Sequence, residues 1–241
     1  MNGTESTSLA IDYRYRADIY LLLARAFSHE PDDAFRTALG SIGKESPLVV
    51  NRDSDGNLVQ RAFDLINRSV STDPSPSDLN ADYVNIFLGF GKDLTGAFPY
   101  ESYYRSGRKS LMEKPYDELL SILRKEGLTP TQIDLSPEDH VSTEFLLLAH
   151  FSNKVLAALE RARRNENDGS DIQQTQDKSI ESAQARYRDF LVTHPLQWVP
   201  QMCDEAFALA RTDFYRGFSL LAKEVVIADA TALGFSGPTC R

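Results

Sequence analysis

Ser136-Pro-Glu-Asp-His-Val-Ser-Thr-Glu-Phe-Leu-Leu-Leu-Ala-His-Phe151 is the stretch whose reading decides the fold. Val141, Phe145, Leu148, Ala149, Ser152, Val155, Leu156 and Leu159 recur at intervals of three and four, the spacing of one apolar face on an α-helix. Ser136 reads as an N-cap, Pro137 as the first helical residue and Asp139 as a capping-box acid. His140 and Glu144 are four apart, which places them on one face of the first turns. Asp139, His140 and Glu144 at a helix start fit two descriptions. Either they cap and support a core helix, or they form a recognition site.

Helical periodicity extends in both directions from this segment, and strand-like alternation is scarce. One stripe is Tyr15, Ile19, Leu22, Leu23, Ala26 and Phe27, and another is Leu58, Ala62, Leu65 and Ile66. Leu79, Tyr83, Ile86 and Phe87 form a third, with Ser77 or Asp78 as its expected cap. Tyr116, Leu119, Leu120 and Leu123 follow Pro115 and stop at Gly127, a suitable residue just past a helix end. Further helices are expected around Ala183–Leu191, from Pro195 to about Ala210, and from Phe214 to about Leu233. Turn-rich breaks fall at 47–56 and 72–76, and Gly89 to Pro99 is a non-periodic connection. Asn165 to Lys178 is polar and free of aromatic residues, so a mobile surface loop is expected there. The expected fold is all-α, a bundle of about nine or ten helices in a single domain, with a possible subdomain linker at 129–136.

The chain has 241 residues, 41% of them hydrophobic and 25% charged, with a formal net charge of −9. These values are ordinary for a globular protein. The acidic balance argues against general nucleic-acid binding, which requires basic patches, and suits a basic peptide partner. No apolar run reaches the roughly 20 residues that cross a bilayer, and the N-terminal region lacks the pattern of a secretory signal. A cytoplasmic protein is expected. Cys203 and Cys240 are far apart and form no paired-cysteine motif. Cys203 sits in an apolar helix and reads as buried filler, and Cys240 reads as exposed.

Enzyme motifs are missing. Gly91-Lys92 superficially resembles a phosphate-binding loop, but residue 86 is Ile and residue 93 is Asp, so the pattern fails. His29, His140, His150 and His194 are dispersed. A di-iron bundle needs two Glu-x-x-His pairs, and none exists. No metal, cofactor or catalytic residue is expected. The reading of a different class is a helical metalloprotein or enzyme using Asp139, His140 and Glu144. By spacing alone, Tyr83 and Phe87 are core residues and Trp198 is a packing anchor. Tyr100 and Glu101 follow Pro99 on a loop, where an aromatic–acid pair suits an arginine-bearing peptide.

Four segments, in order, carry a family resemblance: Asp82-Tyr-Val-Asn-Ile-Phe87, Pro99-Tyr-Glu-Ser-Tyr103, Pro137-Glu-Asp-His140 with Glu144, and Phe190, His194 and Trp198. Together they resemble the TorD/DmsD family of molybdoenzyme maturation chaperones. Asp82 stands for the usual Glu, Ile86 for the usual Leu, and Glu138 lies inside the Asp-His motif. The resemblance implies a TorD-like helical bundle with no enzymatic activity. It implies a partner, the catalytic subunit of a molybdopterin oxidoreductase, held by its twin-arginine signal peptide or N-terminal segment until its cofactor is inserted. It implies that Asp139 and His140 help to accept the peptide, and that Tyr83 and Phe87 line the apolar part of the groove or pack beneath it. Tyr100, Glu101, Glu144 and Trp198 complete the implied site. A nitrate-reductase-type chaperone, whose client is not exported, is the alternative within the family. Both a monomer and a domain-swapped dimer are compatible with a bundle that contains a long linker.

Overall fold

A computed structural model describes residues 3–41, 58–72, 74–90, 95–129, 137–164 and 170–235. Among the described residues are ten helices: α1 (Gly3–Ser28), α2 (Asp33–Ser41), α3 (Leu58–Thr72), α4 (Pro76–Phe87), α5 (Glu101–Arg105), α6 (Lys114–Lys125), α7 (Val141–Arg164), α8 (Ser170–Thr193), α9 (Pro195–Leu209) and α10 (Asp213–Ala232). Among the described residues the fold is all-α, and the isolated pairing of Tyr100 with His140 stands apart from any strand. α7 packs along α1 and α8, and α10 packs along α3 and α9. The apolar faces of these helices merge into one core, from Tyr13 and Phe27 through Phe145 and Trp198 to Phe218.

Local chemistry explains most of the boundaries. α6 ends in a Schellman motif. Gly127 adopts φ 68°, Leu128 N–H bonds the Leu123 carbonyl at 2.9 Å, and Gly127 N–H bonds the Arg124 carbonyl at 3.1 Å. Only a residue without a Cβ takes that backbone angle cheaply. α4 is capped by Ser75, not by Ser77 or Asp78. Pro76 takes the first helical position, which moves the cap one residue earlier, and Ser75 Oγ accepts from Asp78 N–H at 3.1 Å. Residues 170–178, read from sequence as loop, belong to α8. Polarity does not prevent a helix here, and Gln174, Thr175 and Lys178 lie exposed on it. Gln and Lys are good helix formers, and Ile180, Tyr187, Phe190 and Leu191 are buried farther along α8. The expected loop at 47–56, the linker at 130–136, Ser136 and Cys240 lie outside the described residues. Cys203 is buried, and burial pushes its thiol pKa up.

Two polar groups staple helices across the core. Asp229 of α10 accepts hydrogen bonds from Arg16 Nε at 2.5 Å, from Tyr20 Oη at 3.0 Å and from the Tyr187 hydroxyl, so it ties α1 and α8 to α10. Asp82 of α4 accepts from Arg211 N–H at 3.0 Å, Thr212 N–H at 2.8 Å and Thr212 Oγ1 at 2.6 Å. It therefore holds the turn that starts α10.

α10 approaches α3 most closely at Gly217. A Cβ there would stand 2.6 Å from Ile66 Cγ1 and 3.0 Å from both the Ala62 carbonyl oxygen and Ile66 N. Backbone atoms cannot yield as a flexible side-chain tip does. Gly217→Ala is expected to cost about 1–3 kcal/mol, the usual range for overpacking, despite the better helix propensity of Ala. Urea denaturation measures this, and a stabilised variant would show that the crossing is looser than described.

Candidate functional site

The site forms where α5, the start of α7 and the turn between α8 and α9 meet. The first helical residue of α7 is Val141, not Pro137, so Asp139 and His140 precede the helix. A short backbone pairing holds them in place. Glu101 N–H donates to the Asp139 carbonyl at 3.0 Å, and Val141 N–H donates to the Pro99 carbonyl at 2.9 Å. This clips the Pro99–Glu101 segment against the entry to α7.

That geometry changes the role of Asp139. It is not a capping-box acid for its own helix. Its Oδ2 accepts from Ser102 N–H at 2.9 Å and so caps the first turn of α5, 37 residues earlier in the chain. His140 caps α7 instead. Its Nδ1 accepts from Ser142 N–H at 3.2 Å and lies 2.6 Å from Ser142 Oγ. An accepting Nδ1 places the ring proton on Nε2, which is the neutral imidazole. Burial enforces the same state: His140 is 4% exposed and its pKa is lowered to about 4. The Tyr100 ring meets the imidazole edge-on at 5.1 Å.

Three carboxyl groups share this corner, and Glu101, Asp139 and Glu144 are each 0% exposed. Glu101 Oε1 accepts from Arg105, which also donates to the Thr193 carbonyl at 3.1 Å. Glu101 Oε2 lies 2.9 Å from His194 Nδ1. A carboxylate only accepts, so His194 carries its proton on Nδ1 in this contact. His194 stacks on Phe190 at 5.0 Å. Trp198 Nε1–H points between the two Glu144 oxygens, 3.1 Å from each. Burial raises the pKa of Glu144 well above that of an ordinary carboxyl, and the neighbouring Glu101 charge adds to the effect. Both effects favour the protonated form of Glu144 beside Glu101. Burial also raises the Asp139 pKa, against the hydrogen bonds from Ser102. Asp139 Oδ1 is buried without a hydrogen-bond partner.

The structure brings Asp139, His140, Tyr100, Glu101, Glu144 and Trp198 to one corner. Tyr83 and Phe87 lie elsewhere, in an aromatic cluster with Tyr215 and Phe27. Both are buried, and the Tyr83 hydroxyl approaches the Ser28 carbonyl at 3.4 Å. Sequence reading missed Arg105 as a member of the site, and it placed His194 in a motif without a role. A signal for Arg105 was present, since Glu101 and Arg105 are an acid and a base four residues apart. Among the described residues, no group of three or more His, Cys, Asp or Glu is arranged to hold a metal ion. None of the described helices is long and apolar enough to cross a membrane.

The described residues thus form an all-helical bundle with three buried acids at one corner, held by Ser102, Arg105, His194 and Trp198. A family model described as the nitrate reductase delta subunit matches residues 53–204, more than half of the sequence, and the chain belongs to that family. The matched region contains all four segments that carry the resemblance. The chain is 24% identical to the chaperone protein TorD of Vibrio parahaemolyticus over 209 residues, covering 83% of this chain and 86% of the relative. It is 26% identical to TorD of Aliivibrio salmonicida over 202 residues, covering 79% and 82%. It is 25% identical to TorD of Vibrio cholerae over 227 residues, covering 90% and 91%. These relatives are chaperones, not enzymes, and the protein is assigned to the same non-enzymatic class.

Proposed function

We propose that this chaperone binds the N-terminal signal peptide of the catalytic subunit of a molybdopterin oxidoreductase and holds it until the cofactor has been inserted. The mechanism is linkage. A partner that binds only the unfinished client keeps that client from export, and no covalent step is needed. The molybdenum cofactor is the client's own. One observation carries the reading: three of the four family segments converge on the buried acid cluster, where Asp139 Oδ1 is left without a partner. A guanidinium is the natural complement of such a carboxyl, through charge-assisted hydrogen bonds. In this reading Asp139, His140, Tyr100 and Glu101 meet the peptide. Glu144 and Trp198 set the geometry of the acid cluster, and Tyr83 and Phe87 support the groove from the core.

Isothermal titration with a synthetic peptide carrying paired arginines and an apolar tail tests this. Asp139→Asn keeps an acceptor for Ser102 N–H and removes the charge. Peptide binding is expected to weaken by about 1.5–3 kcal/mol, the range for a bond to a charged group, while stability falls by no more than ~1 kcal/mol. A paired-lysine peptide is expected to bind less well, because an ammonium lacks the two-pronged donor geometry of arginine.

The description of the matching family favours a second reading, a nitrate-reductase-type client that is not exported. Equal affinity for the arginine, lysine and charge-reversed peptides would select that reading over the first.

A further inference from the structure

Glu101 is the one member of the acid cluster that already holds an arginine. Its carboxylate is fully buried, but the guanidinium paired with it is not: the Arg105 side chain is 34% exposed and sits at the outer edge of the corner. Arg105 is anchored there by two acceptors, Glu101 Oε1 and the carbonyl of Thr193, the last residue of α8. Glu144 and the unpartnered Asp139 Oδ1 are the other acids buried near Glu101.

From this arrangement we propose that Arg105 is a built-in competitor, which fills a guanidinium-binding position that an arginine of the client takes over when it binds. The proposal rests on the peptide-binding reading above and adds its regulation. Removing Arg105 with no replacement leaves a buried carboxylate short of its cation, which is costly. Exchanging one guanidinium for another leaves the number of charge-assisted bonds on Glu101 unchanged. The position therefore opens only for a ligand that brings its own guanidinium. A guanidinium is more weakly hydrated than an ammonium and enters a largely buried ion pair at lower cost, so the exchange itself favours arginine over lysine. While Arg105 competes for the position, apparent affinity is scaled down by the fraction of molecules in which the position is open. Empty chaperone then keeps Glu101 paired and ignores stray basic segments.

Two measurements on Arg105→Ala test this. The first is thermal stability with added ethylguanidinium or ethylammonium. The variant is expected to melt earlier than the parent and to be restored by ethylguanidinium but not by ethylammonium. The parent should respond to neither, and Glu101→Gln in the variant should abolish the rescue. The second is titration with the paired-arginine peptide, for which the variant is expected to bind roughly tenfold more tightly than the parent. Absence of selective rescue overturns the proposal, whatever the peptide does. Rescue with unchanged or weakened peptide binding also overturns it, because Arg105 then competes with nothing. Rescue together with no peptide binding by parent or variant keeps the exchangeable position and sinks the signal-peptide reading instead. If Arg105→Ala does not fold, Arg105→Lys takes its place. It retains the charge, loses the weakly hydrated planar group, and is expected to show the same tightening of peptide binding.

Discussion

Asp229→Ala is expected to be among the most destabilising single substitutions in this protein, at about 3–5 kcal/mol. Asp229 and Arg16 are a buried pair, with side chains 5% and 15% exposed. The carboxylate also accepts from the hydroxyls of Tyr20 and Tyr187, both fully buried. Truncating Asp229 leaves one cation and two hydroxyls without their acceptor inside the bundle, and that loss exceeds the loss of the contact itself. For a chain of this size the melting temperature is expected to fall by roughly 6–20 °C. Arg16→Leu in the same background is expected to recover part of the loss, since it removes the orphaned charge. A cycle of the two single variants and the double variant measures the coupling. A loss below about 1 kcal/mol for Asp229→Ala would mean that water reaches the cluster and that α1, α8 and α10 are not stapled there.

The second large effect is on the pH dependence of stability, and it comes from the corner that holds the buried acids. His140 has its folded pKa lowered to about 4 by burial, while an unfolded histidine titrates near 6.5. Between those values the unfolded chain binds the proton and the folded chain does not, so stability falls as pH falls. The loss accumulates from about pH 6.5 down to about 4 and amounts to about 3 kcal/mol. His140→Asn removes the titrating ring and keeps a side chain able to cap α7, so its stability profile is expected to be flatter across that window. Glu144 acts with the opposite sign. Its folded pKa is raised by burial and then by Glu101, so the folded state holds a proton that the unfolded carboxyl has released. Its contribution is fully present below the ordinary carboxylate pKa and fades as pH rises. Glu144→Gln imitates the protonated form and is expected to gain on the parent at pH 8 but not near pH 4. Denaturant titrations at several pH values decide both points. A His140→Asn profile parallel to the parent's between pH 6.5 and 4 would show that the imidazole charges freely in the folded state.

The proposed function asks one turn to serve both stability and recognition, and the tertiary arrangement leaves side-chain atoms for both. Asp139 caps α5, and His140 caps α7. These are ordinary structural duties, and each uses only part of the side chain. Asp139 Oδ2 is engaged and Oδ1 is free. His140 Nδ1 is engaged, which leaves Nε2–H as the group able to donate. Capping and peptide recognition are therefore compatible assignments for the same two residues.

Much of this was legible before any coordinates. Apolar spacing in the 141–159 segment, and in the stripes around Leu23, Ile66 and Phe87, was sufficient for an all-α bundle, because helix amphipathicity is written in local order. Gly127 marked the end of α6 for an equally local reason, its left-handed backbone. The polar start of α8 was not legible, since a solvent-facing helix and a loop share the same composition. The partners of the acids were hidden more deeply. Asp139 caps a helix 37 residues away, Glu101 meets His194 across 93 residues, and Glu144 meets Trp198 across 54. The sequence by itself determined which faces would be buried, because the hydrophobic effect acts on every apolar side chain in the same way wherever it sits. Only the tertiary structure decided which buried acid meets which donor, because a hydrogen bond is directional and short-ranged and depends on how packed helices bring distant residues together.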